Sequence, residues 1–136
     1  MKLTRASSYA LHAVAYMAIQ KSDKPVASHH IAAARGIPDG FLLKVLRPLV
    51  STRILRSLKG PNGGYRLARP ASKITLLEVV EAVEGPVRGS APLSEVERSG
   101  EAGRLDQQLT AVCDQAAAQV RKQLGKVRVS DLLGET

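Results

Sequence analysis

Between residues 55 and 70 the chain reads LRSLKGPNGGYRLARP. The three glycines and one proline packed into "KGPNGG" disfavour a helix, and the runs "RILRSL" and "GYRLAR" on either side have strand character. The segment therefore predicts a β-hairpin closed by a loop rather than by a two-residue turn. The long apolar patterns elsewhere repeat every three to four residues, so the chain is expected to be mainly α with one small β-hairpin.

The elements before the hairpin set its context. Thr4 is placed to cap a first helix running to about Gln20, with Leu11, Val14, Ala15, Ala18 and Ile19 on its buried face. The polar "KSDKP" ends it. "VASHHIAAARG" then reads as a short helix with Ser28 as N-cap, Ile31 and Ala32 facing inward, and Gly36 suited to the left-handed residue after its end. "IPDGFLLKVLRPLV" forms the next helix, with Phe41, Leu42, Val45 and Leu46 on the core side and a kink or break expected at Pro48. Two short helices joined through Gly36 outline a helix-turn-helix, and a hairpin after it is the winged-helix order.

Downstream, "KITLLEVVEAVEGP" carries a capping box in Thr75 and Glu78, an apolar face of Leu76, Val79, Val80 and Val83, and a stop at Gly85 and Pro86. Residues 87–103, rich in Pro, Gly, Ser and Glu, read as a linker loop with room for one helical turn. Residues 104–136 follow as a separate segment. Leu105, Leu109, Val112, Ala116, Val120 and Leu124 recur at helical spacing along it, a stripe too long for a small domain to bury alone, so it calls for a partner helix. "VRVSDLL" is expected to pack back as a short terminal helix. The expected organisation is a winged helix-turn-helix domain over 1–86, a linker, and a long C-terminal dimerisation helix.

A chain of 136 residues supports one modest core, and with 3% aromatic residues and no tryptophan that core must be aliphatic, which favours packed helices. Charge is distributed unevenly. Residues 1–70 carry 12 Lys+Arg against 2 Asp+Glu, whereas the remainder carries 8 against 10. The first half is suited to a polyanion, and without a long apolar or basic amphipathic anchor the favoured polyanion is nucleic acid rather than a membrane surface. The opening "MKLTRASSYALHAVAYMAIQ" superficially resembles a signal peptide, but its apolar period and Ser7, Ser8 and His12 fit an amphipathic helix, so a cytoplasmic protein is expected. A single cysteine, Cys113, excludes an intrachain disulfide or a multi-cysteine metal site.

In a helix-turn-helix the second helix meets base edges, which makes Asp39, Gly40, Leu43, Lys44 and Arg47 the groove-facing residues. On helix position alone, Lys44 and Arg47 could equally be solvated. Ser28, His29 and His30 open the preceding helix, where backbone N–H groups and a hydroxyl suit a phosphate oxygen. Adjacent histidines point about 100° apart on a helix and have no carboxylate or thiol close in sequence, which disfavours a metal site. His12 reads as a packed or hydrogen-bonded residue, and Cys113 as a small buried hydrophobe with a redox role left open. "GPNGGY" lacks the Lys-Ser/Thr of a nucleotide-binding loop, and no catalytic constellation emerges. Neither an enzyme nor a cofactor is expected.

The strings "MKLTRASSYALHAV", "PVASHHIAAARGIP", "LLKVLRPLVSTRILRSLKGPNGGYRLARP" and "ITLLEVVEAVEGP" closely resemble the Rrf-two (Rrf2) family of bacterial transcription regulators, which includes IscR, NsrR and CymR. The likeness spans Met1 to Pro86 and resumes in "LGKVRVSDLL". It implies a homodimeric winged-helix regulator, most simply a repressor, that binds a pseudo-palindromic double-stranded DNA operator and whose long C-terminal helix crosses between subunits. By position, Leu43 and Lys44 match the family's base-reading residues, and Lys2, Arg5 and Tyr9 its N-terminal backbone contacts. Arg56, Ser57, Lys59 and the segment Gly60, Pro61, Asn62, Gly63, Gly64, Tyr65 and Arg66 match its DNA-contacting wing. Arg69 is expected to add charge beside the wing tip. The stripe with Cys113 corresponds to the dimer interface.

Cluster-holding members place three cysteines after "EGP", and this chain has none there, so the resemblance implies a member without an iron-sulfur cluster, open to a small-molecule or thiol signal. Leu43 stands where many relatives have a polar residue, and Arg53 where glycine is favoured at a helix end. Two other readings stay open: an interaction module acting on another regulator, and a metal or haem sensor using His12, His29 or His30.

Overall fold

The computed structural model describes residues 1–89 and 100–134. Its first helix, α1 (Arg5–Ala18), starts where Thr4 accepts a hydrogen bond from the Ser7 backbone N–H, as the sequence indicates. Its buried face is Ser7, Ala10, Ala13, Val14 and Met17. Of the five residues expected inside, only Val14 is buried; Leu11, Ala15 and Ala18 are half-buried and Ile19 is 49% exposed. The small side chains of Ala10 and Ala13 let later helices approach closely, and that packing, not the bulk of the apolar residues, sets the rotation of α1. The buried Ser7 hydroxyl donates to the Glu84 carboxylate, tying α1 to the end of a distant helix.

Helix α2 (Ser28–Arg35) buries Ile31 and Ala32 and ends on Gly36 at φ 64°, the left-handed stop anticipated from the sequence. Ser28, however, is the first helical residue, and Ala27 caps without a side-chain bond. The chain enters from an extended pairing at Val26, and the Ala27 carbonyl already accepts from His30 and Ile31. Helix α3 (Asp39–Ser51) buries Leu42, Val45, Leu46 and Leu49.

There is no break at Pro48. Proline removes only its own donor there, while Leu49 beyond it is fully buried and the Pro48 carbonyl accepts from both the backbone N–H and the hydroxyl of Thr52. Phe41 was expected in the core but lies at the surface, 36% exposed, edge-on to Tyr9 with ring centroids 5.3 Å apart.

Arg53 follows α3 at φ 63°, a left-handed conformation, and the chain turns into the hairpin of β1 (Leu55–Leu58) and β2 (Gly64–Leu67). The strands pair antiparallel, with Leu55 opposite Leu67 and Arg56 opposite Arg66. A third strand residue is present that sequence periodicity does not reveal: Val26 pairs with Tyr65 through two 2.8 Å backbone bonds. A Cβ on Gly64 would lie 2.4 Å from the Val26 carbonyl oxygen, so only glycine permits this approach.

A 3-10 turn (Ala71–Lys73) leads into α4 (Leu76–Glu84), which opens with the expected Thr75/Glu78 capping box and ends at Gly85. Val79 and Val80 are buried, while Leu76 and Val83 are half-buried. Residues 90–99, most of the expected linker, lie outside the described residues. Helix α5 (Gly100–Gly125) begins four positions before the expected start at 104. The short α6 (Val129–Leu132) packs back as expected, its Val129 N–H bonded to the Ile74 carbonyl.

The aliphatic core lies between α1, α3, α4 and the hairpin base, with Ile31, Leu42, Leu46, Leu49, Ile54, Leu55 and Ile74 fully buried or nearly so. Among the described residues no helix is long and apolar enough to cross a membrane.

Candidate nucleic-acid interface

Burying one face of α3 leaves the opposite face outward. Asp39, Gly40, Leu43, Lys44 and Arg47 are all exposed, as the groove-facing assignment requires, and Leu43 is 47% exposed. The helix therefore presents an aliphatic side chain beside two cations, with Asp39 in its first turn. Leu43 can contact a thymine methyl but cannot hydrogen-bond, whereas Lys44 and Arg47 can donate to guanine or phosphate.

The hairpin carries the next group. Arg56 and Arg66 face each other across the strands, a like-charge pair that costs stability unless an anion lies nearby. The Arg66 guanidinium donates to the Asp23 carbonyl at 2.9 Å, so it braces the hairpin against the loop after α1. Ser57, Lys59, Gly60, Pro61 and Asn62 are exposed around the turn, which is closed by a 2.9 Å bond from Gly63 N–H to the Gly60 carbonyl; Gly63, Gly64 and Tyr65 are half-buried. Arg69 does not flank the tip. It lies at the hairpin base, 2.5 Å from the Glu78 carboxylate and bonded to the Lys73 carbonyl. Burial alone would raise the Glu78 carboxyl, but the Arg69 guanidinium and the bonds from Thr75 outweigh it and hold that carboxyl below its ordinary value.

The Val26–Tyr65 pairing brings the wing tip to the start of α2. There Lys24, Pro25, Ala27, His29 and His30 face Pro61, Asn62 and Gly63 across a cleft of about 510 Å³. Lys24 is the residue that sequence reasoning missed, because its relevance depends on the Val26 pairing. His29 and His30 are exposed, with ring centroids 4.3 Å apart, and Ser28 is half-buried beside them. Among the described residues no three His, Cys, Asp or Glu side chains gather as a metal site. Lys2 and Arg5 are exposed at the N-terminal end of α1, and Tyr9 is half-buried against Phe41. His12 is exposed and its Nδ1 accepts from Arg35 at 3.2 Å, so it is hydrogen-bonded rather than packed.

On α5 the apolar stripe divides. Leu105, Leu109 and Val112 are 58%, 45% and 61% exposed, and Ala116 is exposed as well. Cys113 and Val120 are half-buried, and Leu124 is 9% exposed against its own subunit. Gly89 passes so close to α5 that an added Cβ would lie 2.4 Å from the Cys113 carbonyl carbon.

The family profile described as "Rrf2: Iron-dependent Transcriptional regulator" matches residues 3–135. Protein aau3 of Rhizobium meliloti is 38% identical over 124 residues, covering 91% of this chain and 75% of that protein. The HTH-type transcriptional regulator IscR of Xenorhabdus nematophila is 33% identical over 87 residues, which cover 64% of this chain. The chain spans about half the length of several curated relatives, 53% in the case of that IscR. In fold, the chain superimposes on CymR, the global cysteine regulator of B. subtilis, with a TM-score of 0.75 at 20% identity, covering 100% of this chain and 98% of CymR.

The family description names iron, and iron–sulfur clusters are held chiefly by cysteine thiolates. This chain has only Cys113, half-buried on α5 beside the Gly89 backbone, and no cysteine between residues 87 and 103. That donor set does not fit a cluster of the kind implied by the family resemblance. The profile match and the winged-helix architecture agree in every other respect, and the relatives are regulators rather than enzymes: the chain belongs to the Rrf2 family of helix-turn-helix transcriptional regulators.

Proposed function

We propose that this protein is a homodimeric, cluster-free repressor that binds a pseudo-palindromic duplex in the cytoplasm. The observation that carries the reading is the division of α3 into a fully buried face and an outward face bearing Leu43, Lys44 and Arg47. In this reading residues 1–86 form the DNA-binding unit, with Lys44 and Arg47 donating to bases, Leu43 against a thymine methyl, and Arg56, Ser57, Lys59 and the 60–66 turn on the backbone or in the minor groove. Lys2, Arg5, Tyr9 and the Ser28–His30 start of α2 hold phosphates.

Dimerisation is supported by the uncovered Leu105, Leu109 and Val112 on a helix of 26 residues, about 39 Å long. Two copies joined along α5 would present two α3 helices to half-sites one helical turn or a multiple of it apart, about 34–36 Å per turn. A dimer seated on promoter DNA blocks transcription by occupying it.

The test is a mobility-shift titration of the purified chain on duplexes from its own promoter region. A shift at low salt that weakens steeply as salt is added is expected. Absence of any shift refutes the reading, and unchanged promoter occupancy after Lys44→Ala with Arg47→Ala would favour a protein-interaction role instead.

A further inference from the structure

At the base of the hairpin, where α3 ends, the surface opens into a groove of about 660 Å³, within the usual size range of small-molecule sites. Its floor is apolar, made by Val50, Leu55 and Ala68, and Leu55 is only 2% exposed. Its rim carries three guanidinium groups, and among the described residues no carboxylate lines it. Arg69 is neutralised by Glu78, but the guanidinium groups of Arg53 and Arg56 make no ion pair or hydrogen bond among the described residues. The hydroxyls of Thr52 and Ser57 complete the polar side.

Arg56 and Ser57 belong to the wing assigned above to DNA, but two features set the groove as a whole apart from a DNA-phosphate contact. Phosphodiesters need no apolar floor, and Leu55 lies at the far end of β1 from the turn, about 10 Å along the strand at some 3.4 Å per residue. Arg53 also occupies the left-handed region, where an L-residue is strained, and such strain concentrates at ligand clamps and switch regions. It lies in the short link between the end of α3 and the start of β1.

We propose that this groove binds a small organic monocarboxylate, its carboxylate held by Arg53 and Arg56 and its apolar body lying on Val50, Leu55 and Ala68. Because the groove is walled by the end of α3 on one side and by the wing on the other, an occupant changes the angle between them and thereby the fit to DNA. The effector role rests on the DNA-binding reading given above; the binding site itself does not.

The experiment uses the purified full chain, 15N-labelled, titrated with benzoate, with benzyl alcohol and sodium chloride at matched ionic strength as controls. Saturable amide shifts confined to Thr52–Ser57 and Ala68–Arg69 are expected with benzoate alone. Arg53→Asn, which tolerates the left-handed conformation, should weaken benzoate about tenfold or more while leaving the remaining amide spectrum in place.

Benzoate should also lower operator affinity for the parent protein but not for Arg53→Asn. No saturable benzoate binding, or equal shifts with chloride, overturns the site. Loss of operator binding by Arg53→Asn without benzoate also overturns it, by making the groove a DNA contact. Saturable binding that leaves operator affinity unchanged overturns the effector role. If no duplex is bound at all but benzoate still saturates, the DNA-binding reading fails and the ligand site stands.

Discussion

Replacing Gly64 with alanine should uncouple the wing from the start of α2. The new Cβ would lie 2.4 Å from the Val26 carbonyl oxygen, 2.6 Å from its carbon and 2.9 Å from the Ala27 nitrogen, all backbone atoms that cannot rotate away. Relief requires the two segments to separate by close to 1 Å, about the shortfall from ordinary van der Waals contact. That movement lengthens both 2.8 Å bonds between Val26 and Tyr65, each worth about 1 kcal/mol net. Gly64 also has φ 154°, a region that favours glycine, and strain of this kind costs about 1–3 kcal/mol.

Together these terms give a loss of about 3–5 kcal/mol, or roughly 10–15 °C in Tm for a chain of this size. The control is Gly60→Ala, at φ 105° with nothing within 4 Å of the added carbon, which bears conformational strain but no clash. Thermal denaturation of both variants at one protein concentration checks the reasoning. If Gly64→Ala melts no lower than Gly60→Ala, the Val26 pairing does not hold the wing as described. Operator affinity should fall along with stability in Gly64→Ala, because the tip loses its register against Lys24, His29 and His30.

Other outcomes follow from the same geometry. Arg53→Gly should raise stability by about 0.5–1 kcal/mol, since relief of a left-handed L-residue exceeds the added chain entropy of glycine; a lower Tm would contradict this. The lowered Glu78 carboxyl contributes stability that is fully present above the ordinary value of 4.5 and is lost as pH falls through its lowered folded value. Glu78→Gln should therefore flatten the acid limb of a stability-versus-pH curve below about pH 4.5, with no such change near neutrality. Lys44→Ala should cost about 1–3 kcal/mol of operator binding and relax preference at one base position, measured by titrating a set of single-base operator variants.

Much of the fold was legible because its signals are local. The Thr75/Glu78 capping box, the Thr4 cap, the left-handed Gly36 and the hairpin around "KGPNGG" each depend on a few adjacent residues and on the hydrogen bonds that those residues can make with one another. The outward face of α3 was legible to the same extent: with Leu42, Val45 and Leu46 inward, helical geometry turns Leu43, Lys44 and Arg47 outward.

What failed were readings that assumed an element's own pattern decides its environment. Periodicity placed Leu11 and Ile19 inward on α1, yet the close approach of other helices selected the small residues Ala10 and Ala13. Proline propensity placed a kink or break at Pro48, and of the two the break is absent, because burial of Leu49 carries α3 past it. Arg69 read as wing charge until its bond to Glu78 placed it at the hairpin base.

By itself, then, the sequence determined the order of elements, the basic first half and the lack of cysteine ligands for a cluster, because composition and short-range hydrogen bonding specify these without reference to distant residues. Only the tertiary structure decided that Val26 joins the hairpin, that Lys24 faces the wing tip, and that Arg53 and Arg56 share an apolar-floored groove. Those facts depend on contacts between segments far apart in the chain, whose side-chain directions are fixed only when the core closes.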